Sequence, residues 1–225
     1  MTNRDRLQRE LGYQFRNPAL LEQALTHRSH SALHNERFEF LGDALLETII
    51  SVYLYRNRPR TPEGDLTRLR ASIVNREQLA ILARELDLGR EMRLGQGEMK
   101  SGGHRRDSIL ADAVEALIAA VYLDSDFATC EHTTLMLFAP ALDALPDAQS
   151  LKDAKSRLQE YLQGRGLPLP SYEIVSESGP EHARVFEIEA KSGAFVVNAR
   201  GSSRKKAEQD AACALLECYR KPGKR

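Results

Sequence analysis

Two groups of carboxylates in this sequence have the spacing to act together. In Asn35-Glu36-Arg37-Phe38-Glu39-Phe40-Leu41-Gly42-Asp43-Ala44, continued through Glu47, a helix of about 3.6 residues per turn puts Glu36, Glu39, Asp43 and Glu47 on one face. Phe38, Leu41, Leu45 and Ile49 fall on the other. Glu39 and Asp43 stand one turn apart, where like charges on an exposed helix repel by roughly a few tenths of a kcal/mol; a bound cation reverses that penalty. The second group is Asp112 and Glu115, within Ser108-Ile109-Leu110-Ala111-Asp112-Ala113-Val114-Glu115 and the apolar run that follows. The small Ser108, Ala111 and Ala119 share their face, while Ile109, Ala113, Leu117 and Val121 form a packing side. Four carboxylates from two helices suit a hard divalent cation such as Mg²⁺, which takes oxygen ligands and keeps waters. Two such ions about 4 Å apart activate a water and stabilise the leaving oxygen in phosphodiester hydrolysis. Taken singly, each group is better explained as a solvated helix face, and periodicity leaves open whether the two helices meet.

The elements that must position these acids are helical. Asn17 followed by Pro18 opens a helix through Leu20, Leu21, Ala24 and Leu25. Apolar-periodic stretches follow at about 36–55, 65–73, 75–86, 107–123 and 127–143, separated by Gly- and Pro-bearing breaks at 58–64 and 94–103. No strand-like alternation occurs before residue 150. Beyond it the pattern changes to a helix at about 153–164, period-two runs at 172–176, 185–190 and 195–200, and a closing helix at 202–219. The expected fold class is multidomain: an all-α domain over residues 1–146, a linker over 147–152, and a small α+β domain of order α-β-β-β-α over 153–221.

The second domain has three segments that could meet a nucleic acid. Its first helix sets Ser156, Gln159, Glu160 and Gln163 on a polar side opposite Leu158, Tyr161 and Leu162. Such hydrogen-bonding groups suit the 2′-hydroxyl-lined minor groove of an A-form duplex, although an ordinary amphipathic helix explains them equally. Ser178-Gly179-Pro180-Glu181-His182 reads as a hairpin turn with His182 at its tip. Ser202 or Ser203 caps the last helix, leaving Arg204, Lys205 and Lys206 in its first turn. Cations there oppose the helix dipole, a cost that makes sense where phosphates dock; solvated surface is the plainer alternative.

The net charge of zero divides unevenly. Residues 1–150 carry 18 basic and 22 acidic side chains, and residues 151–225 carry 14 and 10. A basic module that meets a polyanion fits this division, but four charges either way decide nothing alone. Cys130, Cys213 and Cys218 have neither zinc spacing nor an even count and read as small buried side chains. His27, His30 and His34 lack the companions of a zinc site. Gly95-Gln96-Gly97-Glu98-Met99-Lys100-Ser101 lacks the glycine before lysine that a phosphate loop requires. No apolar run is long enough to span a bilayer and the first residues lack a secretion signal, so cytoplasmic residence without a membrane partner is the expectation.

The segment His34–Ala44 closely resembles the signature of the bacterial ribonuclease III family. Leu11-Gly12-Tyr13-Gln14-Phe15, Ala24-Leu25-Thr26-His27-Arg28-Ser29, Pro62-Glu63-Gly64-Asp65-Leu66, Ser101-Gly102-Gly103-His104-Arg105-Arg106 and Ile109–Ala116 resemble its other landmarks in the family's order. Phe38 departs from the usual leucine, on the packing face. The resemblance implies that Glu39, Asp43, Asp112 and Glu115 hold catalytic Mg²⁺, for which Mn²⁺ can substitute, with Asp43 and Glu115 most critical. It gives Glu36 and Glu63 accessory roles near the cleavage site. It implies an endoribonuclease that cuts double-stranded RNA to 5′-phosphate and 3′-hydroxyl ends with short 3′ overhangs, processing ribosomal RNA precursors, some messenger RNAs and transfer RNA. Such enzymes are homodimers, and Phe40, an aromatic on the polar side of its helix, would lie at the dimer interface. Residues 153–220 resemble a double-stranded-RNA-binding domain, with Gln159, Glu160, Gln163, His182, Lys205 and Lys206 at the RNA-contacting positions; such domains span about 16 base pairs. Two readings compete, a non-catalytic binder of duplex RNA and a metal phosphohydrolase of small substrates. The filled acid positions favour the enzyme over the first, and the second leaves residues 153–220 unexplained.

Overall fold

The computed structural model describes residues 3–220. The chain divides into two compact units, Met1–Ala148 and Gln149–Arg225. None of the described helices is long and apolar enough to cross a membrane.

The first unit is helical: α1 Asn3–Glu10, α2 Pro18–Ala24, α3 Glu36–Asn57, α4 Glu63–Ile73, α5 Arg76–Glu85, α6 Leu88–Glu91, α7 Gln96–Lys100, α8 Asp107–Asp124 and α9 Phe127–Asp143. Local chemistry starts several of them. Asn17, Asn75 and Asp126 accept a backbone N–H at the heads of α2, α5 and α9, as N-caps do. Asn35 precedes α3 but does not cap it with its side chain. Instead, its buried Nδ2 donates to the Ala24 carbonyl at 3.2 Å and its backbone N–H to Thr26 O at 2.9 Å. The head of α3 is thereby tied to the end of α2.

α8 is the central helix and packs most extensively on α3 and α5. The sequence predicts one packing side for it, but Ala111, Val114, Ala116, Ile118, Ala119 and Ala120 are buried as well. A helix apolar nearly all round belongs inside a domain. Ala111 and Ala119 are therefore packed inside the domain. Helices α1, α6 and α7 were not legible as elements; at four to eight residues, they are too short for a 3.6-residue period to show.

The second unit comprises α10 Ala154–Gln163, β1 Ser171–Ser178, β2 Val185–Ser192, β3 Phe195–Gly201 and α11 Arg204–Arg220. The strands form an antiparallel sheet in the order β1-β2-β3, with Ile188 opposite both Ile174 and Ala199. Leu158 and Leu162 from α10, Ile188 and Ala190 from β2, and Ala207, Ala211, Leu215 and Leu216 from α11 make its core. The fold class is thus the multidomain one expected, a helical domain followed by an α-β-β-β-α domain. Between them, residues 147–152 hold a short 3-10 turn, Ala148–Leu151, and the buried Lys152. Residue 221, the predicted end of the second domain, lies outside the described residues. Ser203 rather than Ser202 caps α11, its Oγ accepting from Lys206 N at 3.2 Å.

The three cysteines are free. Cys130 is buried, donates to Ile118 O at 3.5 Å, and has its thiol pushed up to about 11 by burial. Cys213 is exposed and Cys218 half-buried, so the reading of all three as buried is corrected. Ala211, Ala212, Leu215 and Leu216 turn the apolar side of α11 inward and leave Cys213 off it.

Candidate active site

Glu39, in the first turns of α3, meets Asp112 and Glu115 from α8. One carboxylate oxygen of each lies within 4.8 Å of the other two. Ligands of an octahedral ion with bonds of about 2.1 Å sit about 3–4 Å apart, so small side-chain rotations close this group on one ion. The donors are all carboxylate oxygens, the chemistry Mg²⁺ or Mn²⁺ prefers.

Their electrostatics indicate an unbalanced negative charge. Glu115 is pushed up to about 8, first by burial and then by the Asp43, Asp112 and Glu39 carboxylates. Burial also raises Glu39, followed by the charges of Asp112, Glu36 and Asp43. Asp112 is raised by burial, against the opposing pull of Arg76 and, more weakly, His27. Desolvated carboxylates crowded in this way resist ionisation until a cation joins them.

Three of the four predicted ligands therefore converge. Asp43 stands outside the triplet, exposed, yet acts on Glu115 more strongly than any other charge. Glu36 is also exposed, and Arg28 donates to it at 3.1 Å. Glu63 is elsewhere: at the head of α4 it accepts from Thr67 Oγ1 at 3.0 Å and lines a depression with Ser51, Leu54 and Tyr55 from the far end of α3. Fifteen residues of helix separate Glu39 from Leu54, about 22 Å along the axis.

Sequence reasoning missed the residue that lets the helices meet. A Cβ on Gly42 would overlap the backbone carbonyl of Glu115. Any side chain there would push α3 and α8 apart at the level of the acids. The signal was present as a glycine inside a strong helical pattern, where its propensity cost needs a reason. His27, set aside above as a zinc ligand, lies within electrostatic reach of the acids. Its ring is held below the usual histidine range by burial, and it feels the charges of Glu98, Asp112 and Glu36.

Phe40 is 81% exposed on the outer side of α3. Further along the same helix lies the depression of about 290 Å³ formed by Ser51, Leu54, Tyr55, Glu63, Leu66, Thr67 and Arg70.

In the second unit, Gln159, Glu160 and Gln163 are exposed together on α10. Lys152 donates to Glu160 at 2.7 Å. At the head of α11, Lys206 pairs with Asp210 at 2.8 Å and Arg204 with Glu208 at 2.9 Å. Lys205 is exposed and has no ion-pair partner among the described residues. The turn between β1 and β2 contains Gly179, with φ +92°, and a short 3-10 turn, Glu181–Ala183. The backbone of His182 lies there; its side chain is outside the described residues.

Comparison with known proteins agrees with this division. The ribonuclease-III-like family model matches residues 17–142, and the double-stranded RNA binding motif matches residues 154–217. Two solved structures of the nuclease domain of ribonuclease III from Campylobacter jejuni are similar to this chain. One is 37% identical, covers 65% of this chain and 100% of its own, and superposes with a TM-score of 0.62. The other, described as showing structural flexibility in a region involved in dimer formation, is 39% identical, covers 60% of this chain and 96% of its own, and has a TM-score of 0.59.

Proposed function

Because this chain belongs to the ribonuclease-III-like family and carries a double-stranded RNA binding motif behind its nuclease domain, we propose that it cleaves both strands of duplex RNA with divalent metal ions held by Glu39, Asp43, Asp112 and Glu115. When bound, two Mg²⁺ ions supply an activated water and a clamp on the leaving oxygen, giving 5′-phosphate and 3′-hydroxyl ends. The observation that carries this reading is the convergence of Glu39 with Asp112 and Glu115. Asp43, whose charge acts on Glu115, would be the fourth ligand. Arg76, the cation that acts on both Asp112 and Glu115, offsets part of their repulsion. The second unit holds the duplex through Gln159, Glu160 and Gln163, the β1–β2 turn with His182, and Lys205 and Lys206. Its recognition is by shape and ribose hydroxyls, which suits structured transcripts such as ribosomal RNA precursors and some messenger RNAs in the cytoplasm.

The active form is a homodimer. Phe40 is too exposed to serve the fold of one protomer, and the depression on the same helix lacks a side chain to fill it. In a two-fold pairing of antiparallel α3 helices, Phe40 enters that depression on the other protomer. Glu63 of the partner subunit then arrives beside Glu36 and Glu39, which gives an accessory role to an acid remote within one chain. Two such sites facing one duplex cut opposite strands with a stagger, hence short 3′ overhangs.

The test is incubation of the purified protein with a long RNA duplex, with mapping of the product ends. Cleavage that needs Mg²⁺, stops with EDTA and is lost in Glu115→Ala and Asp43→Ala, while binding survives, supports the proposal. Binding without cleavage would sink it and leave a duplex-RNA binder.

A further inference from the structure

Among the described residues Lys152 is the one buried lysine, with 6% of its side chain exposed, whereas the Glu160 side chain it pairs with is 52% exposed. The usual arrangement is the reverse, a long cationic stem that carries its charge to water. We infer that Lys152 is a positioning residue for duplex recognition: its ammonium, 2.7 Å from Glu160 Oε2, neutralises that carboxylate from beneath and leaves Oε1 to accept from ribose hydroxyls. This rests on the reading of Gln159, Glu160 and Gln163 as the minor-groove face.

The placement follows from the fold. Asp153 caps α10 by accepting from Ser156 N at 3.0 Å, and it accepts from Gln209 Nε2 of α11 at 3.0 Å. Gln209 Oε1 in turn accepts from Ala154 N at 2.7 Å. These bonds fix the backbone next to Lys152. Glu160 lies two turns further on, and helical side chains lean toward the N-terminus, so Glu160 and the lysine stem approach each other along one side of α10. A carboxylate on a surface that meets a polyanion is repelled by every nearby phosphate. Held against a buried ammonium, it becomes an acceptor of low net charge, suited to the 2′-hydroxyl donors of A-form RNA. Ordering by the lysine also removes rotamers that a free glutamate would lose on binding.

The test measures the affinity of the full chain for a labelled RNA duplex of about 16 base pairs, by fluorescence anisotropy in EDTA so that neither strand is cut. Glu160→Gln is expected to weaken binding by about fivefold, the worth of a typical hydrogen bond. Lys152→Met is expected to weaken it further, because the carboxylate remains without its neutralising partner. The double variant should return to the affinity of Glu160→Gln alone. That non-additive pattern distinguishes positioning from a contribution to stability, which would persist in the double variant. Circular dichroism checks that Lys152→Met folds, and Lys152→Gln repeats the cycle if it does not. Wild-type affinity in a folded Lys152 variant, with a loss in Glu160→Gln, overturns the inference, as does a double variant in which the two losses add. Wild-type affinity in Glu160→Gln removes the minor-groove reading itself, and the inference with it.

Discussion

Glu115 carries the heaviest electrostatic load of the acids, its carboxyl pushed up to about 8 by burial and by three neighbouring carboxylates. An acid whose pKa is higher in the folded state than its ordinary 4.5 leaves the folded protein binding more protons than the unfolded chain between those two values. Stability must then fall as pH rises through that window, and a bound divalent ion must restore it. In EDTA, the melting temperature of the wild type should drop from about pH 5 to about pH 8 more steeply than that of Glu115→Gln; equal slopes in calorimetry would refute this electrostatic account. Lys206 offers a second residue-scale prediction. In the proposed complex its exposed pair with Asp210 competes with phosphate, and such surface pairs are weak. Asp210→Ala should tighten duplex binding by about two- to fivefold and steepen its salt dependence, whereas unchanged affinity would place Lys206 off the RNA. At this scale much was legible. Spacings of three and four residues singled out Glu39, Asp112 and Glu115, which converge, together with Asp43, which stands outside the triplet, because helical periodicity is local information. The remoteness of Glu63 and the burial of Lys152 were not, because both depend on which surfaces meet.

At the scale of the element, α3 and α8 were readable from apolar periodicity and their contact was not. The contact is settled by what is missing at Gly42, where the two backbones touch. Gly42→Ala would force that contact open. Overpacking of this kind costs about 1–3 kcal/mol, and here the displacement falls on the ligand geometry as well. The variant should melt lower and, below its melting transition, bind Mn²⁺ more weakly than wild type in calorimetric titration. Unaltered Mn²⁺ affinity would mean that the approach of α3 to α8 does not position the carboxylates. The wide burial of α8 escaped the sequence reading for a related reason. Alanine suits an exposed face or a tight helix contact equally well, and only neighbouring helices decide between them.

For the whole molecule, the division near residue 148 follows the change in periodicity and the opposite charge balance on its two sides. The acidic helical unit holds the carboxylates proposed as metal ligands, and the basic unit holds the surfaces proposed to meet phosphate and ribose. A fragment ending at Ala148 should therefore fold and cut duplex RNA at low salt, with weaker binding and activity that fades sooner as salt is added. A folded fragment inactive at every salt concentration would show that cleavage needs the second unit for more than affinity.

The most direct test of the central claim is an anomalous-scattering experiment on crystals of the protein grown with Mn²⁺. The account predicts a manganese peak within coordination distance of Glu39, Asp112 and Glu115, with Asp43 rotated toward it, and no such peak in Glu115→Gln. Protein that cuts duplex RNA yet binds manganese away from these carboxylates, or holds it there unchanged in Glu115→Gln, would contradict it.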